Sequence, residues 1–154
     1  MISETDLQHL NRCVELAEQA RFGSILVSAQ GAVLFEDHNH IASGDHTQHP
    51  EFAIARWAAE HLAAEERAQA TVYTSGEHCP MCAAAHGWVG LGRIVYASSS
   101  QQLGEWMQEF GAAPSPVRNL SIPEILTDPN VDGPVPDLAE QVHQLHRRLH
   151  ESKQ

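Results

Sequence analysis

The chain predicts a three-layer α/β domain, and three observations support this. Short segments rich in Val, Ile and Leu alternate with amphipathic helical stretches. The 154 residues suffice for one domain with a real core. Apolar residues make up 42% of the chain, near the globular average, which argues against disorder over most of its length.

Each element has its own signal. Thr5 or Asp6 can cap a first helix running to about Ala20, with Leu7, Leu10, Cys13, Val14 and Ala17 on one face. Residues 24–28 and 32–36 read as short strands, and Gln30-Gly31 between them as a hairpin turn. Residues 37–48 form a polar loop of a length typical of functional loops. Pro50 suits the first position of a helix to about Ala64, with Phe52, Ala55, Ala59 and Leu62 expected inward. Residues 71–74 make a third strand, Pro80 opens a helix to Val89, and residues 93–97 make a fourth strand. Residues 102–110 read as a helix with Leu103, Trp106, Met107 and Phe110 on one stripe. A fifth, short strand is expected over residues 117–120. Pro134 and Pro136 mark a loop before a last helix over 137–150. There is no internal repeat and no low-complexity tract. The expectation is one domain over 1–154, with its catalytic core at about 6–112 and a C-terminal loop and helix at about 113–150.

Charge narrows the function. Twenty Asp and Glu stand against nine Lys and Arg, a formal net charge of −11. Such a surface repels phosphate backbones unless basic residues cluster locally. The tight basic cluster is Arg147-Arg148, with His146 and His150 beside it. Nucleic acid is therefore disfavoured, and a small neutral substrate fits better. No apolar run approaches the ~20 residues that span a bilayer, so no membrane partner is expected. The acidic start of the chain lacks a signal-peptide pattern, which makes a cytoplasmic location the default expectation. Three cysteines, two of them in C-x-x-C spacing, do not make a disulfide framework.

The chemistry lies in His49-Pro50-Glu51 and Cys79-Pro80-Met81-Cys82. His49, Cys79 and Cys82 can bind one Zn²⁺. A catalytic zinc keeps three protein ligands and an open position, whereas a structural one closes with four. Both motifs sit at predicted helix starts, where partial positive charge and free N–H groups favour thiolates. Glu51, two residues from His49, points elsewhere along its helix and can act as a proton shuttle rather than a ligand. A thiol redox pair would leave His49 and Glu51 without a role. A structural zinc site would need a fourth ligand, for which His46, His78 and His86 are candidates. A His-x-Glu followed by Pro-Cys-x-x-Cys is a signature of zinc nucleobase deaminases.

Several segments, in order, give the chain a specific resemblance. Phe22-Gly23-Ser24-Ile25-Leu26-Val27, Asn39, Asp45-His46-Thr47-Gln48-His49-Pro50-Glu51 and Thr74-Ser75-Gly76-Glu77-His78-Cys79-Pro80-Met81-Cys82-Ala83 are similar to motifs of the cytidine deaminase-like superfamily. Within it, the chain resembles the branch of guanine deaminases, cytosine deaminases and tRNA adenosine deaminases. The resemblance implies a mixed five-stranded sheet between helices, commonly in a homodimer. It implies His49, Cys79 and Cys82 as ligands of one Zn²⁺ and Glu51 as the catalytic acid–base. It also implies Asn39 as an amide that binds the base and Phe22 as a stacking residue. Pro50 and His78 depart from the usual Ala and Pro at their positions. Pro50 is compatible with a helix start, and His78 is read as a pocket or loop residue. His86 is read as a core histidine.

The motifs imply the reaction more firmly than its substrate. Guanine presents two donors side by side, N1–H and an amino group, and a carboxylate is the matching acceptor. In the guanine deaminase branch an acidic residue after the fourth strand fills that role, and Glu109 lies in the comparable region here, ahead of Glu105. Guanine conversion to xanthine is the first expectation, with an s-triazine such as ammeline as a possible side substrate. Cytosine or a nucleoside comes next, then adenosine in tRNA. A purine-binding module without catalysis is the non-enzyme alternative, against which an intact Glu51 argues.

Overall fold

The computed structural model describes residues 1–152. Helices α1 (Glu4–Ala17), α2 (Pro50–His61), α3 (Ala64–Gln69), α4 (Pro80–Trp88), α5 (Ser100–Glu109), α6 (Ile122–Ile125) and α7 (Pro136–Glu151) surround a five-stranded sheet. Its strands are β1 (Gly23–Val27), β2 (Val33–His38), β3 (Thr71–Gly76), β4 (Ile94–Ser98) and β5 (Val131–Asp132), in the order β2-β1-β3-β4-β5. The sheet is mixed. β1 runs antiparallel to both β2 and β3, while β3, β4 and β5 are parallel. Gly31, at φ +87°, supplies the left-handed residue of the β1–β2 turn.

Strand alternation builds two cores. Ile25, Val27, Tyr73, Val95 and Ala97 face one way and meet α1, α7 and Trp106 of α5. Leu26 and Val72 face the other way, onto Ile54, Ala55 and Ala58 of α2. Ile94 closes a third cluster with Ala83 of α4 and Ile122 of α6. Helix α7 buries Leu138, Ala139, Val142, Leu145 and His146, a stripe at helical spacing.

A buried ion cluster ties the start of the chain to the sheet. Ser3 caps α1 with a capping box: its Oγ accepts from the Asp6 amide, and Asp6 accepts from the Ser3 amide. The Asp6 carboxylate, only 4% exposed, also accepts from Tyr73 Oη at 2.6 Å and from Arg93 at 3.0 Å through each of two nitrogens. Arg93 reaches on to Asp132 of β5 at 2.8 Å. Burial works to raise the Asp6 carboxyl, but Arg93, the Ser3 amide and Tyr73 outweigh it and hold the group well below the usual carboxylate range.

Four expectations are corrected. The cap of α1 is Ser3, not Thr5 or Asp6, because Asp6 turns inward to Arg93 and Tyr73. The second helix ends at His61, where Leu62 becomes extended, and α3 begins anew with Glu66 accepting from the Ala63 amide. Its buried face is Glu51, Ile54, Ala55 and Ala58, and Ala59 is exposed, since burying Glu51 rotates the helix. The fifth strand lies at Val131–Asp132, not 117–120. Val117 is 53% exposed beside Pro114 and Pro116, while Ile94 donates to the Asn130 carbonyl and draws the later segment onto β4.

Candidate metal centre

Two prolines set the geometry. Pro50 and Pro80 occupy the first turns of α2 and α4, which pack together, and His49 and Cys79 are the N-cap residues of those helices. Cys82, in the first turn of α4, faces the same point as Cys79. Cys79 Sγ lies 3.5 Å from His49 Nδ1 and 3.5 Å from Cys82 Sγ, and Cys82 Sγ lies 3.6 Å from His49 Nδ1. A tetrahedral zinc with bonds of about 2.3 Å to sulfur and 2.0–2.1 Å to nitrogen has ligand–ligand edges of roughly 3.5–3.8 Å. The triangle therefore fits the ion.

The donor set also fits electrostatically. The Cys79 thiol is pushed down to about 4, by its contact with Cys82 and then with His49. That negative charge, burial and Glu51 push the Cys82 thiol up, because two adjacent thiolates repel. A dication held by both sulfurs would remove the conflict and favour both as thiolates. Among the described residues, the metal-capable group comprises these three side chains alone. His46 is exposed, and His86 is a core residue whose Nε2 lies 2.7 Å from the Gly92 carbonyl. His78 is buried edge-on against His86. Three protein ligands leave a position for water. The remaining cysteine, Cys13, lies in the core of α1.

Glu51 sits in the first turn of α2, 5% exposed. Ser24 Oγ and Thr74 Oγ1 reach its Oε1 at 2.8 and 2.7 Å. Burial pushes the carboxyl up, and the hydroxyls of Thr74 and Ser24 only partly oppose this. Sequence reasoning missed both hydroxyls. They lie 27 and 23 residues from Glu51 in the chain, and only strand pairing brings them together.

Asn39 and Phe22 are brought together beside this group. The Asn39 amide N–H donates to the Phe22 carbonyl at 3.1 Å. Asn39 is 9% exposed, and its Oδ1 is buried without a hydrogen-bond partner among the described residues. Phe22 packs against Gly76, where a Cβ would sit 3.3 Å from its ring, and Gly76 O accepts from Thr74. His146 of α7 meets Phe22 edge-on at 5.0 Å, and both its ring nitrogens are buried. Burial pushes its pKa down to about 4, with Arg21 adding to the effect. Its position beside Phe22 had no sequence signal. Glu109 lies elsewhere: it ends α5 and is bonded to His143 at 2.7 Å and Arg147 at 2.8 Å, both on α7. Those two partners hold its carboxyl below the usual range, His143 first.

Fold and site together define an α/β domain with a three-ligand site suited to zinc and a buried carboxylate in the first turn of the helix whose N-cap is His49. The family described as "Cytidine and deoxycytidylate deaminase zinc-binding region" matches residues 3–98, and the chain belongs to it. It is a hydrolytic deaminase by family, with one zinc ion as cofactor. It is 31% identical over 119 residues to a probable cytosine deaminase of Schizosaccharomyces pombe, covering 73% of this chain and 72% of that protein. It is 34% identical over 85 residues to guanine deaminase of Bacillus subtilis, covering 54% of each. A solved guanine deaminase from Nitrosomonas europaea shares the fold at a TM-score of 0.67 and 17% identity, covering 98% of this chain and 86% of that one. Among the described residues, no helix is long and apolar enough to cross a membrane.

Proposed function

We propose that this deaminase acts on a free nucleobase, with guanine converted to xanthine and ammonia as its main reaction. Ammeline is a side substrate in this reading. The observation that carries the hydrolytic part is a buried carboxylate, Glu51, beside three convergent ligands and, among the described residues, no fourth. His49, Cys79 and Cys82 would hold the zinc, which when bound lowers the pKa of water from ~16 toward ~7. Glu51 takes the proton of the attacking water and passes it to a ring nitrogen. A second proton then leaves with the amino group as ammonia, and the ring carbon becomes a carbonyl. Asn39 orients the base through its free amide oxygen, and Phe22 stacks on the ring. Glu109 is the acceptor proposed for guanine's donor pair on chemical grounds; in the structure its carboxylate accepts from Arg147 and His143.

The net charge of −11 supports a free base over tRNA. Cytosine is the second reading, and it is supported by the probable cytosine deaminase relative. We place the chain in the cytoplasm as a single domain over 1–154, with its core at about 6–112 and its C-terminal segment at 113–150. Residues 153–154 lie outside the described residues. A homodimer is proposed, with Trp88, 89% exposed at the end of α4, available to a second copy. A monomer in sedimentation velocity at micromolar concentration rejects that assembly.

Ammonia release by the zinc-loaded protein tests the substrate. Guanine, cytosine, adenine, their nucleosides and ammeline are compared, and guanine is expected to give the highest kcat/KM. Zinc-loaded protein that turns over no free base rejects the reading. In the same assay Glu109→Gln is expected to lower guanine turnover about 10- to 100-fold and to spare cytosine. If both Glu109→Gln and Glu105→Gln leave guanine turnover unchanged, the acidic acceptor is not there.

A further inference from the structure

We infer that Ser24 is a positioning residue for Glu51, one that fixes which carboxylate oxygen handles the proton. Ser24 and Thr74 are cross-strand partners on β1 and β3. Both are 0% exposed, and both project toward α2, on the side where Leu26 and Val72 pack. Their hydroxyls converge on one atom, Glu51 Oε1, and lie 2.8 Å from each other. Thr74 has a further local partner, the Gly76 carbonyl at 2.9 Å. Among the described residues Ser24 Oγ has no such partner: it bonds to Glu51 and Thr74. A buried serine hydroxyl costs free energy unless it is hydrogen-bonded, and here its bonds go to the carboxylate and to the threonine that shares it.

The last torsion of a glutamate is broad and nearly two-fold, so an unrestrained carboxylate exchanges its oxygens freely. Two hydroxyls gathered on Oε1 remove that freedom and leave Oε2 for the reacting groups; the single proton of Thr74 is shared between Oε1 and the Gly76 carbonyl, so Ser24 carries most of the restraint. Hydroxyls also accept as well as donate. The Ser24–Thr74 pair therefore stays bonded to Oε1 by turning its protons, with no heavy-atom movement, whichever way the shuttled proton has gone. This inference rests on the reading of Glu51 as proton shuttle.

Ser24→Ala tests it, assayed on the panel base with the highest wild-type rate. Expected are a fall in kcat of about tenfold or more, KM within about twofold, and one zinc per chain retained. Thr74→Val is expected to behave alike, and Thr74→Ser, which keeps the hydroxyl, to recover most of the rate. The double variant Ser24→Ala/Thr74→Val is expected to lose less than the product of the two single losses, since both hydroxyls act on one oxygen. A crystal structure of metal-free Ser24→Ala is expected to show the Glu51 carboxylate in more than one orientation. Wild-type kcat in Ser24→Ala overturns the inference, as does a loss that tracks zinc depletion or appears in KM alone. Glu51→Gln separates the two levels. If it is inactive while Ser24→Ala runs at full rate, only the role of Ser24 fails. If Glu51→Gln still turns over, the reading of Glu51 fails first.

Discussion

Glu51→Gln is expected to keep its zinc and to lose turnover by about a thousandfold. Glutamine has the same shape, and its amide oxygen can accept from Ser24 and Thr74 as Oε1 does now. What it cannot do is take up a proton and release it. The substitution also removes a charge from a buried site where desolvation already disfavours that charge. The variant is therefore expected to unfold at the same temperature as the wild type or a higher one, the usual signature of a strained functional group replaced by a neutral one. Metal analysis, ammonia release and thermal unfolding together decide the matter. Turnover within tenfold of wild type, with zinc in place, would remove Glu51 from its role.

Asp6→Asn is expected to cost about 2–4 kcal/mol of folding stability at neutral pH, the range for breaking a largely buried, hydrogen-bonded pair. The cost is high because Asp6 serves two distant partners at once. Arg93 loses its better-buried carboxylate and keeps Asp132, while the Tyr73 hydroxyl loses a charged acceptor. The pH dependence has a definite sign. The Asp6 carboxyl lies below its ordinary value in the folded chain, so its contribution is fully present above the unfolded value of about 3.9. That contribution is lost as pH falls below this value toward the folded one. Urea unfolding should thus show a wide gap between wild type and Asp6→Asn at pH 7 and a narrower one near pH 3. Equal midpoints at pH 7 would mean the cluster contributes nothing.

Much of this arrangement was legible in the residues. The strand–helix alternation and the prolines at positions 50 and 80 placed both metal motifs at helix starts, where the structure puts them. Local signals of that kind need no knowledge of the rest of the chain. The features that escaped depend on long-range contacts. Asp6 reads as a helix cap, and only the approach of Tyr73 and Arg93, 67 and 87 residues away, turns it inward. Ala59 reads as inward from its spacing with Phe52 and Ala55, whereas the helix turns Glu51, Ile54 and Ala58 to the interior beside Ala55. The two residues of β5 carry too little pattern to outweigh the more apolar stretch around Val117. Glu109 satisfies a chemical argument for guanine, yet its observed partners on α7 come from a helix whose docking the sequence does not announce.

The residue before His78 has a wider consequence. Glu77 leaves β3 with its amide donated to Ser98, and each of its carboxylate oxygens accepts from the first turn of a different helix, Ser100 of α5 and Ile122 of α6. Both donors are backbone groups, which every residue but proline provides. The part of the chain matched by the family ends at residue 98, where this junction begins. Glu77 thus ties the metal loop to the C-terminal third through backbone N–H groups, so the side chains of Ser100 and Ile122 are not what this junction holds.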